Sequence, residues 1–450
     1  MRYYLWTEGC QMNAADSRRL AGALEALGYD ASPNPEDTDV IVLNTCVVRQ
    51  SAEDKAYGRL TSLRPLKLRN PNLVINLMGC LVGTREPNGL RKRFPYVDVF
   101  SPPSDPRPLV NFLVSQRGVR TSADIIDALQ TGASAGTARD MPFFPLFPAQ
   151  NEGGAQVTGL VPVVLGCSHA CTYCIIPYRR GGERSRPEEE ILAEVRALVQ
   201  AGAREVTLLG QIVDRYGKDA GGANLPALLR KVDAIDGLDR IRFLTSHPNW
   251  MSDELLETAA ALPKVCEHIE VPVQAGDDEV LARMRRGYTA EDYRRLIERI
   301  RKYIPLASIA TDIIVGFPGE TNAQFQHTYD LLAELKLDTA HLARYSPRPE
   351  TYATRNYPDD VPAEVKMLRF RALEDLQESI VAEKNAALVG QTLEVLVEGK
   401  HKDRWYGRTR TNRPVFFDDS SRDWTAQLAP VEITHTSAWS LQGSVGPAQS

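Results

Sequence analysis

Residues 166–174 read GCSHACTYC, with three and then two residues between Cys167, Cys171 and Cys174. That spacing lets three thiolates of one loop converge on a cubane iron–sulfur cluster, whose irons favour sulfur ligands. Three ligands for four irons leave one iron open to a substrate or cofactor. The competing chemistry is structural zinc with His169 as a fourth ligand, although such sites usually pair two closely spaced couples and this run is not two couples. Three more cysteines sit at the ends of strand-like runs: Cys10 after YYLW, Cys46 closing DVIVLNTC and Cys80 closing LVINLMGC. Any one of them alone reads as a small buried hydrophobe. The repetition argues otherwise.

The elements that must position these thiols follow from the pattern between them. SRRLAGALEALGY carries Leu20, Leu24 and Leu27 on one helical face and stops at Gly28, and SAEDKAYGRLTSLRPLKLRN is also helical in character. Strand, helix, strand, helix, strand implies a right-handed, doubly wound parallel sheet, and such sheets collect ligands at the carboxyl ends of their strands. Cys10, Cys46 and Cys80 are therefore expected near one point on one edge. The seventh cysteine, Cys266 in PKVCEHIEVPVQ, matches neither set and reads as core.

Composition bounds the rest. The chain has 450 residues, room for about three domains, and 43% hydrophobic with 25% charged residues describes a globular protein with ample core. The opening MRYYLWTEGC lacks the apolar centre of a secretion signal, and no run reaches membrane-spanning length, so no membrane partner is expected. An odd count of seven cysteines with metal-ligand spacing points to a reducing cytoplasm. A net charge of −5 means that any nucleic-acid partner must meet local positive charge.

The expected organisation is α/β throughout its first two domains. Residues 1–116 form the N-terminal doubly wound parallel-sheet domain, and residues 117–152, rich in Gly, Ala, Pro and Thr, form a connector. Residues 153–388 alternate strands (LVPVVLGC, REVTLLGQ, IRFLTSHP, EHIEVPVQ, SIATDIIVGFPGE, TAHLARYS) with helices such as PEEEILAEVRALVQAG. Six such units fall short of the eight that close a full barrel, which implies an open six-unit (β/α) partial barrel. Residues 389–450 turn to short strands at turn-like spacing, a small β-barrel.

Two stretches concentrate positive charge. Residues 179–186, RRGGERSR, hold four Arg and one Glu; residues 399–417, GKHKDRWYGRTRTNRPVFF, hold six Lys or Arg against one Asp, interleaved with Trp405 and Tyr406. A β-barrel offering cations beside aromatic rings suits phosphate contact and base stacking. Arg184, Arg186, Lys400, Arg404, Arg408, Arg410 and Arg413 are the candidate RNA contacts. The run MRRGYTAEDYRRLIERIRK reads as a solvated face.

The three-cysteine run, the six-unit barrel and Tyr173 before the third cysteine resemble the radical S-adenosylmethionine enzymes. Nearly the whole chain is similar to the methylthiotransferase family within them, through GCQMNAADS, IIPYRRGGERSR, LLGQIVDRYG, TSHP, TDIIVGFPGET, YSPRPETYA and GRTRTN. GCQMN and GRTRTN most resemble the branch that makes 2-methylthio-isopentenyladenosine in bacterial tRNA. Sister branches, acting on threonylcarbamoyl-adenosine or on a ribosomal-protein aspartate, carry other residues after the first Gly-Cys. The terminal module resembles the TRAM RNA-binding domain.

The resemblance implies a cargo for each cysteine set. Cys167, Cys171 and Cys174 hold a 4Fe–4S cluster that binds S-adenosylmethionine, and Cys10, Cys46 and Cys80 hold a second 4Fe–4S cluster carrying the sulfur to be donated. S-adenosylmethionine then serves as both radical source and methyl donor. A radical is needed because the C–H bond at carbon 2 of adenine is too strong for acid–base catalysis, and such work belongs to the cofactor while the protein positions and shields it. Tyr173, Gly210, Gln211 and Gly316 become candidate cofactor contacts. Gly210 and Gln211 stand where the superfamily often has Gly-Gly-Glu, and Ile212 follows where the family often has Asn. VGFPGE has an equal structural reading, a strand broken before a helix capped by Thr321. Implied partners are the tRNA anticodon stem-loop and a reductant of the flavodoxin or ferredoxin type, with the protein a cytoplasmic monomer. Outside the family two readings remain open: a metal-stabilised RNA-binding protein and an iron–sulfur electron carrier.

Overall fold

The computed structural model describes residues 1–85, 88–117 and 156–445, so residues 118–152 of the expected connector lie outside the described residues. The chain forms two compact units. The first gathers residues 1–117, Leu160–His169 and Cys174–Leu198; the second gathers residues 156–159, Ala170–Tyr173 and those from Val199 onward.

In the first unit β1 (Arg2–Thr7), β2 (Asp30–Ala31), β3 (Val40–Thr45), β4 (Val74–Gly79) and β5 (Val99–Ser101) form one sheet in the order β2-β1-β3-β4-β5. Every pairing is parallel. A parallel sheet is covered on both faces, which is why its strands read as continuous apolar runs. All six residues of β3 are buried. Ile41, Leu43, Ile75 and Leu77 pack on one face with Leu60 and Leu63 of α2 (Gln50–Arg69). Val40 and Val42 pack on the other with Leu20 and Leu24 of α1 (Gln11–Ala26) and with Leu109. The sequence places the start of the first helix near Ser17; α1 begins six residues earlier, with Cys10 as its N-terminal cap. The stretch after the third loop cysteine packs here because Ile175 and Tyr178 join the core over β3 and β4.

The second unit carries the six-strand barrel. β6 (Thr158–Pro162) is followed by the short antiparallel pair β7 (Val164–Leu165) and β8 (Arg184–Ser185), and beside β9 (Glu205–Leu209) the Val157 carbonyl, just before β6, accepts from the Arg204 and Glu205 amides. β10 (Arg240–Leu244) pairs in parallel with β9, and β11 (His268–Glu270), β12 (Ser308–Val315) and β13 (Thr339–Arg344) pair in parallel in that order. The two sheets meet through the Ile241–Val265 bridge and the Ser246 amide, which donates to the Glu270 carbonyl. Thr321 caps the helix Asn322–Leu335 in a capping box with Gln324, as its sequence suggests.

After the helix Ala363–Ala386, β14 (Thr392–His401), β15 (Arg404–Thr409), β16 (Pro414–Phe417), β17 (Leu428–Thr436) and β18 (Leu441–Val445) close into a barrel. Alternate residues Val395, Val397, Trp405, Val415, Phe417, Val431 and Ile433 point into its core. Trp405 is therefore core: it is 5% exposed and donates through Nε1 to the Asp419 carbonyl, so it offers no open stacking face.

Candidate functional site

β1, β3 and β4 are neighbours in the sheet, and each is followed by one cysteine of the N-terminal set. Cys46 and Cys80 directly follow paired residues, since Thr45 stands opposite Gly79. Two glycines make the approach possible. Gly9 has φ +139, and a Cβ there would lie 2.8 Å from Cys46 Cβ; Gly79 has φ +97, and a Cβ there would lie 2.5 Å from Asn44 Oδ1. Either substitution must push the cysteine loops apart.

The three thiols sense one another. Burial pushes Cys46 up to about 12, and the neighbouring Cys80 and Cys10 add to the shift. Burial also raises Cys80, with Arg180 opposing it. Unligated, Cys46 and Cys80 hold their protons, so a bound metal must displace them. Cys10 is exposed, and its Sγ donates to Asn13 Oδ1 at 3.5 Å. Among the described residues no disulfide joins any two cysteines. The all-sulfur donor set suits iron–sulfur chemistry. Among the described residues no three His, Cys, Asp or Glu side chains are drawn into a closed metal-binding group, so the fit rests on donor chemistry and position.

A buried arginine completes this edge. Arg180, at the end of the helix Ile176–Arg180, donates to Asp16 Oδ2 at 3.2 Å, Asn13 Oδ1 at 2.9 Å and Ser104 Oγ at 3.2 Å. Burial works against its charge, but Cys80 and Asp16 outweigh that cost and hold it firmly protonated. The same stretch is tied to α1 a second time, where Glu194 accepts from Arg19 at 3.0 Å and pairs with Arg186 at 2.5 Å.

In the loop Gly166–Cys174, Cys167 is buried, Cys171 and Cys174 are half-buried, and the Cys167 amide donates to the Gly181 carbonyl. The His169 backbone amide donates to Cys167 Sγ at 3.4 Å. Cys171 accepts a hydrogen bond from Arg286 Nη1 at 3.1 Å. Arg286 is 5% exposed and also donates to the Tyr288 hydroxyl and the Pro272 carbonyl, just past the carboxyl end of β11. Arg286 and Tyr288 lie in the run expected to be a solvated face. Burial reverses that reading, and no local signal separates these two from the exposed arginines of the helix Ala290–Tyr303.

The candidate cofactor contacts fall at strand ends. Gly210 is buried and Gln211 half-buried directly after β9. Tyr173 meets Phe317 edge-on, ring centroids 6.5 Å apart, and Phe317 in turn packs against Tyr345 and Tyr357. Gly316 follows β12 at φ +70, and the space a Cβ would need is filled by the Lys366 side chain. Packing thus accounts for this glycine. A residue the sequence did not offer also lies here: Glu270, ending β11, is pushed up to about 7 by burial and then by Asp312, with Thr245 hydrogen-bonded to it.

The basic stretches divide. Arg186 is 3% exposed and committed to Glu194 and the Pro162 carbonyl, so it is not an RNA contact. Arg184 is half-buried in a two-residue strand paired with Leu165. Arg408 pairs with Glu398 at 2.6 Å, Arg410 with Glu267 at 2.7 Å and Arg413 with Asp338 at 2.7 Å. In return, fully buried Arg240 donates to the Arg408 carbonyl at 2.6 Å, and Arg242 to those of Thr409 and Arg410. Arg240 and Arg242 rise from the start of β10, while Glu267 and Asp338 precede β11 and β13. Arg410 and Arg413 therefore dock the C-terminal barrel onto the amino ends of the β/α strands, a stabilising role beside the RNA contact expected of them, while Arg408 is held within the barrel by Glu398 of β14. Lys400 stays exposed and Arg404 half-exposed. Beside them an outer aromatic row, His401, Phe416 and Tyr406, has centroid spacings of 6.2 and 5.2 Å.

Comparison with known proteins agrees with this anatomy. Residues 161–332 match the model of the Radical SAM superfamily, residues 2–101 that of the uncharacterized protein family UPF0004, and residues 386–445 that of the TRAM domain. The tRNA-2-methylthio-N(6)-dimethylallyladenosine synthase of Chloroflexus aurantiacus is 47% identical over 98% of this chain and 91% of its own. That of Dictyoglomus thermophilum is 44% identical over 99% and 98%. Among solved structures, a radical S-adenosylmethionine methyltransferase, TsrM from Kitasatospora setae, shares the fold at TM-score 0.54 with 15% identity, covering 78% of this chain and 76% of that one. The sequence relationship spans both cysteine sets and the terminal barrel, and by it the chain belongs to the radical S-adenosylmethionine family of tRNA-2-methylthio-N(6)-dimethylallyladenosine synthases.

Proposed function

We propose that this protein inserts a methylthio group at carbon 2 of isopentenyladenosine next to the tRNA anticodon. The observation that carries the reading is the presence, in a chain of this family, of two separate three-cysteine sets, each touched by a buried arginine. Cys167, Cys171 and Cys174 are suited to hold one 4Fe–4S cluster, and Cys10, Cys46 and Cys80 the other. Bound there with S-adenosylmethionine, these groups supply one-electron cleavage, the abstracting radical, and the methyl and sulfur that are transferred.

The chain's own residues prepare those sites. Arg286 fixes the Cys171 sulfur and balances its charge, while the Phe317 cluster holds Tyr173 in place. Gly210 and Gln211, at the carboxyl end of β9, are positioned to meet the amino-acid part of S-adenosylmethionine. Gly9 and Gly79 let the N-terminal thiols converge. Lys400 and Arg404, with the row His401, Phe416 and Tyr406, offer phosphate contact and stacking to the anticodon stem-loop. The electron comes from a carrier of the flavodoxin or ferredoxin class. Neither cysteine set needs a second chain, which supports a monomer. Seven cysteines outside any disulfide and a tRNA substrate support a cytoplasmic location.

Nucleoside mass spectrometry of tRNA from a deletion strain tests the assignment. Isopentenyladenosine lacking its methylthio group should accumulate. Unchanged tRNA together with a ribosomal protein that loses mass would move the substrate to a sister branch.

A further inference from the structure

Arg180 is 8% exposed, and a buried guanidinium calls for acceptors at all its donors. Nη1 and Nη2 have theirs in Asp16, Ser104 and Asn13. Nε has no formed hydrogen bond, and neither does Asp16 Oδ1, although both are buried. An idle buried donor on a charged group is costly unless something outside the protein's own polar groups uses it. Arg180 interacts with Cys80 and, less strongly, with Cys10.

The scaffold behind Arg180 is rigid and specific. Asn13 accepts from Arg180 through Oδ1 and from Cys10 Sγ through the same atom, while its Nδ2 donates to the Thr45 carbonyl at 2.9 Å and to Asn44 Oδ1 at 3.2 Å. Asn44 returns a bond to the Asn13 carbonyl at 2.8 Å and another to Ser17 Oγ at 2.9 Å. One network of fully buried amides thus fixes the guanidinium and two of the three cysteine loops together. A structural ion pair alone would need only Asp16.

We propose that Arg180 is a positioning residue of the N-terminal sulfur site: held by Asp16 and Asn13, it donates to the sulfur at Cys80 and to anionic sulfur bound between the three cysteines. This inference rests on the reading that Cys10, Cys46 and Cys80 hold a 4Fe–4S cluster. Hydrogen bonds and positive charge at cluster sulfur raise its reduction potential.

The test uses the full chain carrying Cys167→Ala, Cys171→Ala and Cys174→Ala, reconstituted anaerobically so that only the N-terminal site can load. Iron and sulfide content, the midpoint potential from an electron-paramagnetic-resonance titration, and the melting temperature of the apo chain are read for this parent, for Arg180→Gln and for Arg180→Lys. Arg180→Gln should keep its fold and shift the potential to a more negative value, and Arg180→Lys should recover most of that shift. A cluster of unchanged potential in folded Arg180→Gln overturns the inference alone. A drop in apo melting temperature in both variants, with loading lost, makes Arg180 a structural clamp and overturns it too. A parent that loads no cluster overturns the underlying reading and the inference with it.

Discussion

The two cysteine sets reach the same donor chemistry by opposite routes. Cys167, Cys171 and Cys174 lie in one short loop, so their convergence is a matter of local spacing. Cys10, Cys46 and Cys80 belong to three separate loops that share one sheet edge only because β1, β3 and β4 are adjacent and parallel. The arginines differ in the same sense. Arg286 is braced by a phenol and a carbonyl without a carboxylate, whereas Arg180 is braced by Asp16 and a network of amides. A loop site can be built almost anywhere on a barrel; an edge site is bound to the register of a whole sheet, and its packing tolerates less change.

The largest expected effect breaks the comparison from the barrel side. Replacing Cys167, Cys171 and Cys174 with Ala should abolish 5′-deoxyadenosine formation and remove about half the iron. Cleavage that persists in this variant would place the radical chemistry elsewhere. Arg286→Met comes next. Loss of a charged hydrogen bond of about 1.5–3 kcal/mol at Cys171 should slow cleavage by roughly 10- to 100-fold, with Arg286→Lys intermediate and N-terminal iron unchanged.

Glu270 sharpens the contrast through pH. Burial raises it to about 7, so between about pH 4.5 and 7 the folded protein keeps a proton that the unfolded chain has released. Stability therefore falls as pH rises through that window, and the penalty is complete above it. Glu270→Gln should remove a pH-dependent cost on the order of 2 kcal/mol, seen as urea midpoints of the apo protein that change less between pH 5 and 8 than in the parent. Equal pH dependence in both would mean that water relieves this carboxyl.

The docking arginines are a smaller matter. Arg410→Ala and Arg413→Ala should each cost about 1–2 kcal/mol of stability and leave tRNA affinity nearly unchanged where the protein is folded. Smallest is the effect of Lys400→Ala or Arg404→Ala, which should weaken tRNA binding modestly and flatten its salt slope by about one per charge removed, at constant melting temperature. If the docking pair carries the salt dependence instead, the assignment of the two groups is reversed.

Particular residues show what could be read before the structure. The loop cysteines carry their meaning in spacing, and Cys46 and Cys80 carry theirs in the apolar runs before them. Cys10 was interpretable only once those runs implied a parallel sheet. Arg180 and Arg286 were not legible: each acts on a thiol far away in sequence, and nothing local distinguishes a buried arginine from its exposed neighbours. GRTRTN misled for the same reason. Arg410 and Arg413 lie in the turn after β15, and what they meet is decided by Glu267 and Asp338, far outside the motif.

The central claim is that the edge set carries sulfur while the loop set makes the radical. Its most direct test is the variant with Cys10, Cys46 and Cys80 all replaced by Ala, reduced and given S-adenosylmethionine and isopentenylated tRNA. It should still release 5′-deoxyadenosine, hold about half the iron and form no methylthiolated adenosine. Methylthiolated product from this variant would return the three cysteines to ordinary core packing and contradict the account.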